Sequence, residues 1–423
     1  MKTSEISGFY KLSPAERLTA VKAFSGLTDE EAFALSAEGS LKIADANRMI
    51  ENVVGTMPVP IGVAVNFRIN DQDYLIPMAL EEPSVVAAAS NAAKLARAKG
   101  GFHTSSTGPY MIGQIQVTHM PDPHNAGQVI QQHKARVLDM CNEKDPVLVR
   151  FGGGARDIEC RVIQTSRGPM LIVHLIVDCR DAMGANAVNT MVETVAPYIA
   201  QLTGGRVFLR IISNLAVKRL ARAKAVFDRD AIGGAEVVDG ILEAYAFADA
   251  DPYRCATHNK GIMNGIDAVV LATGNDFRAV EAGAHAYAAM SGRYRPLTVW
   301  EKNPDGDLVG TIELPLAVGL VGGATASHPV AKACVKILGV KTAQELAEVI
   351  ATVGLAQNLA ALRALATEGI QRGHMSLHAR NIAIAAGAAG DEIDRVAEVI
   401  ASERKVRMDR AKEVLEELRK KGQ

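Results

Sequence analysis

At 423 residues, with 48% hydrophobic and 22% charged side chains, the chain can bury a sizeable core and, at ~150 residues per domain, suggests about three domains. Its 46 basic and 47 acidic residues leave a net charge of −1, which excludes the electrostatic footprint of a nucleic-acid or anionic-membrane binder. The five cysteines (Cys141, Cys160, Cys179, Cys255, Cys334) include no C-x-x-C pair, and their odd number fits reduced thiols.

The first residues show no apolar core behind a basic flank, so they do not read as a signal peptide. The longest apolar run, Met170 to Val177, includes His174 and is too short to span a bilayer, so a cytoplasmic protein is expected. From Ile61 to Ile69, odd positions are apolar and even ones small or polar, the period of a half-buried strand. Asn70 to Asp73 is then a hairpin turn. Glu81-Glu82-Pro83-Ser84 opens an Ala-rich helix that stops at Gly100-Gly101, with Pro83 in its first turn and Glu82 at its mouth.

Between about Tyr110 and Ile212 a strand (Ile115 to Thr118) is followed by a helix (Gln128 to Asn142). A strand over 158–163, a turn at Ser166 to Pro169 and a continuous apolar strand (Met170 to Val177) come next. A helix with Val188, Val192, Val195 and Ile199 on one face leads to Gly204-Gly205 and a closing strand, Arg206 to Ile212. This β-α-β-β-α-β order is that of a ferredoxin-like unit, inserted in a larger domain. After Asn214 the pattern is mostly helical, apart from a hairpin around Asp305-Gly306-Asp307. The charged stretch Glu403 to Lys421 is a solvated helix with i,i+4 pairs. The expected fold class is α+β: a large, mostly helical domain, an inserted non-Rossmann cofactor domain and a C-terminal helical flap. The expected boundaries are 1–109 and 215–370 for the large domain, 110–214 for the insert and 371–423 for the flap.

No G-x-G-x-x-G, P-loop, H-E-x-x-H or G-x-S-x-G string is present, so a nicotinamide enzyme here must bind its cofactor outside a Rossmann fold. Asp178-Cys179-Arg180-Asp181-Ala182-Met183-Gly184-Ala185-Asn186 links a buried strand to a helix. Its small residues let backbone amides approach a phosphate, or it is simply a loop capped by Asn186. Asp251 to Arg254 and Thr257 to Gly261 bring an arginine and a lysine close together near a helix start. Lys260 there can hold an oxyanion and Arg254 can clamp a carboxylate; both also read as ordinary exposed cations. Asp276, after Thr273-Gly274-Asn275, is an N-cap or a buried partner for Lys260. His374 and His378 share a helical face at i,i+4, with too few neighbours for a metal, so no metal is expected; one of them fits a general acid.

Together these strings resemble 3-hydroxy-3-methylglutaryl-coenzyme A (HMG-CoA) reductases of the soluble bacterial class. Glu51-Asn52-Val53-Val54-Gly55 is similar to that family's substrate-side motif. Asp181 to Asn186 is similar to its cofactor motif, and Gly319 to Thr325 to its glycine-rich segment. Thr257 to Gly261, Thr273 to Asp276 and Gly373 to His378 are similar to its catalytic neighbourhoods. The resemblance implies reduction of HMG-CoA to mevalonate and coenzyme A by two hydrides, through a hemithioacetal and mevaldehyde. By position, Lys260 would stabilise the oxyanion, Glu82 would protonate it, Asp276 would couple Lys260 to Glu82, and His374 would protonate the departing thiolate. Glu51, Ser84, Arg254 and Asn264 would hold the substrate, and His378 would lie along coenzyme A. Asp181, Met183, Gly184 and Asn186 would hold the cofactor. Asp145 falls where NAD-preferring relatives carry an acid, so NAD(H) is expected over NADP(H), although an Asp before Pro146 also starts turns. A homodimer, or an assembly of dimers, with sites at the interface is implied, without membrane or nucleic acid. The rival enzyme reading is a coenzyme A thioester hydrolase or acyltransferase acting through His374 or Cys255 without redox chemistry. The rival non-enzyme reading is a binding module that kept the fold and lost the chemistry; all four catalytic residue types are present.

Overall fold

The computed structural model describes residues 3–36, 39, 41–367, 379–403 and 405–421. Its strands are β1 (Ile61–Ile69), β2 (Gln72–Ala79), β3 (Phe102–Ser106), β4 (Tyr110–Thr118) and β5 (Gly154–Thr165), followed by β6 (Gly168–Asp178), β7 (Arg206–Ile212), β8 (Leu220–Phe227), β9 (Thr298–Lys302) and β10 (Leu308–Pro315). They form two sheets. Six strands run in the order β2-β1-β3-β8-β10-β9, and four in the order β5-β6-β4-β7.

The smaller sheet is antiparallel throughout, and its order is that of a ferredoxin-like unit. Helix Ala185–Thr203 lies on it, and Val188, Val192, Val195 and Ile199, the face expected from sequence, are fully buried against Ile115, Leu171 and Val173. β4 to β6 extend beyond the expected runs. The expected helix through Gln128 to Asn142 is instead divided into Pro123–Gln132, Lys134–Lys144 and Pro146–Arg150. Asp122 caps the first with its carboxylate, and Asp145 caps the third.

Two other expectations are corrected. The Ala-rich helix runs from Val85 to Arg97, so Pro83 precedes it rather than filling its first turn. β8 went unread because Leu-Ala-Arg-Ala-Lys-Ala is made of good helix formers. Its period of two is nevertheless real: Ala221, Ala223, Ala225 and Phe227 are buried while the residues between them face outward. Pairing with β3 on one side and β10 on the other outweighs propensity.

The large sheet packs on helices Val85–Arg97, Pro252–Ala272 and Ala343–Ala366 around one continuous apolar cluster. Ala343–Ala366 is long and apolar enough to cross a membrane, yet 67% of that apolar window is buried inside the protein, as befits a core helix. At the C-terminal end, helices Asp391–Ser402 and Met408–Lys421 share a separate small core of Val396, Ile400, Ala411, Val414 and Leu415. On the outside of this pair Arg410 gathers Glu403, Glu413 and Glu417.

Candidate active site

Glu82 follows β2 at the edge of the large sheet, and Lys260 and Asn264 lie one turn apart on helix Pro252–Ala272. Glu82 Oε2 accepts a hydrogen bond from Lys260 Nζ at 2.9 Å and another from Asn264 Nδ2 at 3.2 Å. Both bonds fall on one oxygen, so the other is left to face a ligand. Lys260 remains 61% exposed, so its charge is available to a molecule entering from solvent.

Ser84 caps the helix that follows with φ +74, a left-handed conformation that costs a non-glycine residue energy. Its hydroxyl is buried and has no hydrogen-bond partner. A buried orphan hydroxyl is expensive, and a substrate oxygen would satisfy it. Arg254 opens helix Pro252–Ala272 next to its Pro252 start. Burial pulls its pKa down, and among the described residues its guanidinium meets no carboxylate within bonding distance. Such a free fork suits a carboxylate.

The other expected substrate and catalytic groups are not drawn into this cluster. Asp276 caps helix Phe277–Ala288, accepting from the Arg278 and Ala279 amides at 3.1 and 3.2 Å, with Arg278 as its ion partner at 3.6 Å. Lys260 and Asp276 flank the same helix from its middle and beyond its end. Twelve helical steps from Lys260 to Ala272 rise about 18 Å, and the two form no ion pair: Lys260 pairs with Glu82, and Asp276 with Arg278. Glu51 lies in an exposed stretch before β1. His374 and His378 fall outside the described residues.

The cofactor motif is built differently. Asp181 accepts from the Ala343 amide at 2.8 Å and so caps the core helix. The backbone of Asp181 also accepts from Leu320 at 2.8 Å, and Ala182 bridges to Val321. A Cβ at Gly319 would fall 2.5 Å from the Met183 nitrogen, which explains why the glycine-rich segment begins with glycine. Gly319 in turn donates to Asn275 Oδ1 at 2.8 Å, tying in the turn that ends at Asp276. The helix cap is Gly184 at φ +106, not Asn186, which lies exposed one position inside the first turn. Asp145 Oδ1 caps helix Pro146–Arg150 through the Leu148 amide at 2.9 Å, and its charge reaches the Cys179 thiol at the base of the motif. Unpaired amides at a helix start, an exposed Asn186 and a nearby acid together fit a dinucleotide.

Sequence reasoning missed two groups here. Arg219 is buried beneath the cofactor turn. Asp267 has its pKa raised to about 8 by burial and then by Glu281. Asp267 sits one turn beyond Asn264 on the face that carries Lys260, a spacing readable in the sequence; nothing local marks Arg219. Among the described residues there is no group of three or more His, Cys, Asp or Glu able to hold a metal. Cys255 is fully buried, and burial pushes its thiol up to about 11, so it has no thiolate to offer a thioester.

A non-Rossmann cofactor unit, joined to a large domain that carries a Glu–Lys pair, defines a reductase of unusual fold. The chain belongs to the hydroxymethylglutaryl-coenzyme A reductase family, whose profile matches residues 13–379. It is 65% identical over 417 residues to the 3-hydroxy-3-methylglutaryl-coenzyme A reductase of Archaeoglobus fulgidus, spanning 99% of this chain and 95% of that one. It is 35% identical over 401 residues to a probable reductase of the same name from Borreliella burgdorferi, spanning 90% and 89%. The class II reductase of Streptococcus pneumoniae superposes with a TM-score of 0.84 at 40% identity, covering 97% of this chain and 99% of that one. A structure of that enzyme bound to NADPH in open conformations superposes at 0.83, over 85% of this chain and 99% of that one. The expected fold class and enzyme class thus stand, and nothing supports the hydrolase or acyltransferase alternative. A nicotinamide cofactor accords with the NADPH-bound neighbour.

Proposed function

We propose that this cytoplasmic enzyme interconverts HMG-CoA and mevalonate with NAD(H) preferred over NADP(H), in sites shared between two copies of the chain. Reduction consumes the thioester, two reduced cofactors and two protons, and yields mevalonate, two oxidised cofactors and free coenzyme A. The nicotinamide, when bound at the Asp181–Asn186 turn, supplies the hydrides. Everything else falls to side chains of the protein.

Lys260 stabilises the oxyanion that forms as the carbonyl is attacked, because a fixed cation aimed at developing charge needs no reorganisation. Glu82, held by Lys260 and Asn264 through one oxygen, delivers a proton from the other. Ser84 and Arg254 take the substrate's carboxylate end, satisfying an orphan hydroxyl and a free guanidinium. His374 protonates the thiolate and His378 lies along the coenzyme. We assign 1–109 and 215–370 to the large domain, 110–214 to the cofactor insert and 371–423 to the flap that brings in His374. Asp145 repels a 2′-phosphate and accepts from a 2′-hydroxyl.

The observation that supports the shared site is that Lys260 pairs with Glu82, whereas Asp276, beyond the end of the Lys260 helix, pairs with Arg278. A coupled Glu82–Lys260–Asp276 cluster therefore needs Asp276 from a second copy, and a two-fold axis builds two such sites at once. The exposed apolar run Met49, Ile50, Val54, Met57 and Val59, which includes the Glu51 motif, gives a second copy something to cover. The test is complementation. Lys260→Ala and Asp276→Ala chains, each inactive alone, are refolded together and assayed for NADH oxidation with HMG-CoA. One intact site per hybrid dimer gives about a quarter of the parental activity. No recovery from folded hybrids would show that each chain completes its own site.

A further inference from the structure

The one cation sealed beneath the cofactor turn belongs to none of the motifs. Arg219 stands at the crossover between the two sheets, just before β8, and is only 4% exposed. Its Nη1 donates to the carbonyls of Ala182 and Met183 at 3.0 and 3.2 Å, and its Nη2 to that of Val318 at 2.5 Å. No carboxylate lies within ion-pair distance of it among the described residues; its bonds go to carbonyls, and Asp181 and Asp178 act on it only from further off. Burying a cation in this way costs several kcal/mol of solvation, and a leucine or methionine would fill the space without that cost. The charge therefore does something that packing cannot.

What it does follows from the partners. Ala182 and Met183 belong to the small domain's turn, whereas Val318 leads into the glycine-rich segment of the large domain. One guanidinium thus staples the two at the point where Leu320 and Val321 also bond to Asp181. Because a trans peptide points its C=O and N–H in opposite directions, drawing the Met183 carbonyl toward Arg219 turns the Gly184 amide away from it. The staple therefore sets the direction of an amide at the helix start.

We propose that Arg219 is a positioning residue for the nicotinamide cofactor: by fixing the Ala182 and Met183 carbonyls against Val318, it presents the amides at the start of helix Ala185–Thr203 to the dinucleotide's phosphates. This rests on the reading that the Asp181–Asn186 turn holds the cofactor. It does not touch the cofactor, so its loss weakens cofactor binding while leaving the Glu82–Lys260 pair intact.

The test measures NADH binding by quenching of protein fluorescence, without turnover, beside steady-state KM values for NADH and HMG-CoA. Arg219→Lys keeps the charge and loses the fork; Arg219→Met loses both. The expected result is a rise of about tenfold or more in the NADH Kd and KM for Arg219→Met and a smaller rise for Arg219→Lys, with the HMG-CoA KM within about twofold of the parent. If Arg219→Met does not fold, Arg219→Lys carries the comparison by the same split. A folded variant that binds NADH like the parent, or loses affinity for both substrates alike, overturns the inference. Asn186→Ala, run in parallel, separates the two layers. If it weakens NADH binding while the Arg219 variants do not, only the staple is wrong. If none of the three variants moves NADH binding, the turn is not the cofactor site, and the inference goes with it.

Discussion

The two halves of the site are built to opposite specifications. The Asp181–Asn186 turn, proposed to hold the cofactor, is sealed: Arg219 lies below it, Gly319 presses against Met183, and Asp181 caps the core helix. The Glu82–Lys260 pair is open: Lys260 is 61% and Glu82 36% exposed, and among the described residues the Ser84 hydroxyl and the Arg254 guanidinium have no partner. On the proposed function, a dinucleotide would be gripped largely by backbone fixed in advance, and an acyl group undergoing reduction would be handled by side chains whose partners arrive with the substrate or with a second chain.

The contrast can be broken most directly at the open half. Replacing Lys260 by Ala should lower kcat about 10²–10³-fold, and Glu82→Gln about 10²–10⁴-fold, with thermal stability nearly unchanged because an exposed ion pair contributes little. Steady-state kinetics beside a melting curve decides this; a large drop in melting temperature would mean that the pair is structural rather than catalytic. A smaller effect is expected at Asp145, which belongs to the cofactor half but lies at its rim. Asp145→Ala should shift the ratio of kcat/KM values for NADPH and NADH about tenfold toward NADPH. An unchanged ratio removes Asp145 from cofactor choice and returns it to its role as a helix cap.

The smallest effect concerns Asp267, between the two halves on the Lys260 helix. Its folded pKa, raised to about 8 by burial and Glu281, lies above its value in the unfolded chain. The folded state then holds the proton more tightly, so stability falls as pH rises from about 4 to about 8. Asp267→Asn should flatten that slope and stabilise the protein by about 1–2 kcal/mol near pH 8, less than the full shift implies because the group is partly solvated. Equal melting profiles of parent and variant across pH 5–9 would refute it.

How much was legible can be read residue by residue. β1 and the buried face of the small domain's helix followed from periodicity, because a half-buried element writes its period into the chain. Of the catalytic strings, Lys260, Glu82 and Asn264 were found from residue type and resemblance, and they do converge. β8 was lost because alanine hides a strand's alternation behind helix propensity, and only strands on both sides restore it. Asn186 was misplaced as a cap because a glycine with left-handed backbone, not a side-chain acceptor, starts that helix.

By itself the sequence determined what is local or periodic: two classes of segment, the βαββαβ order, the absence of a Rossmann fingerprint, and the strings that resemble the family's motifs. The tertiary structure alone decided which of these meet. It put Glu82 against Lys260 from 178 residues away, gave Asp276 to the helix after the Lys260 one, and buried Arg219 at the crossover between the two sheets. The physical reason is that a helix or strand declares itself through neighbours a few residues off, whereas a hydrogen bond between distant segments leaves no period in the sequence.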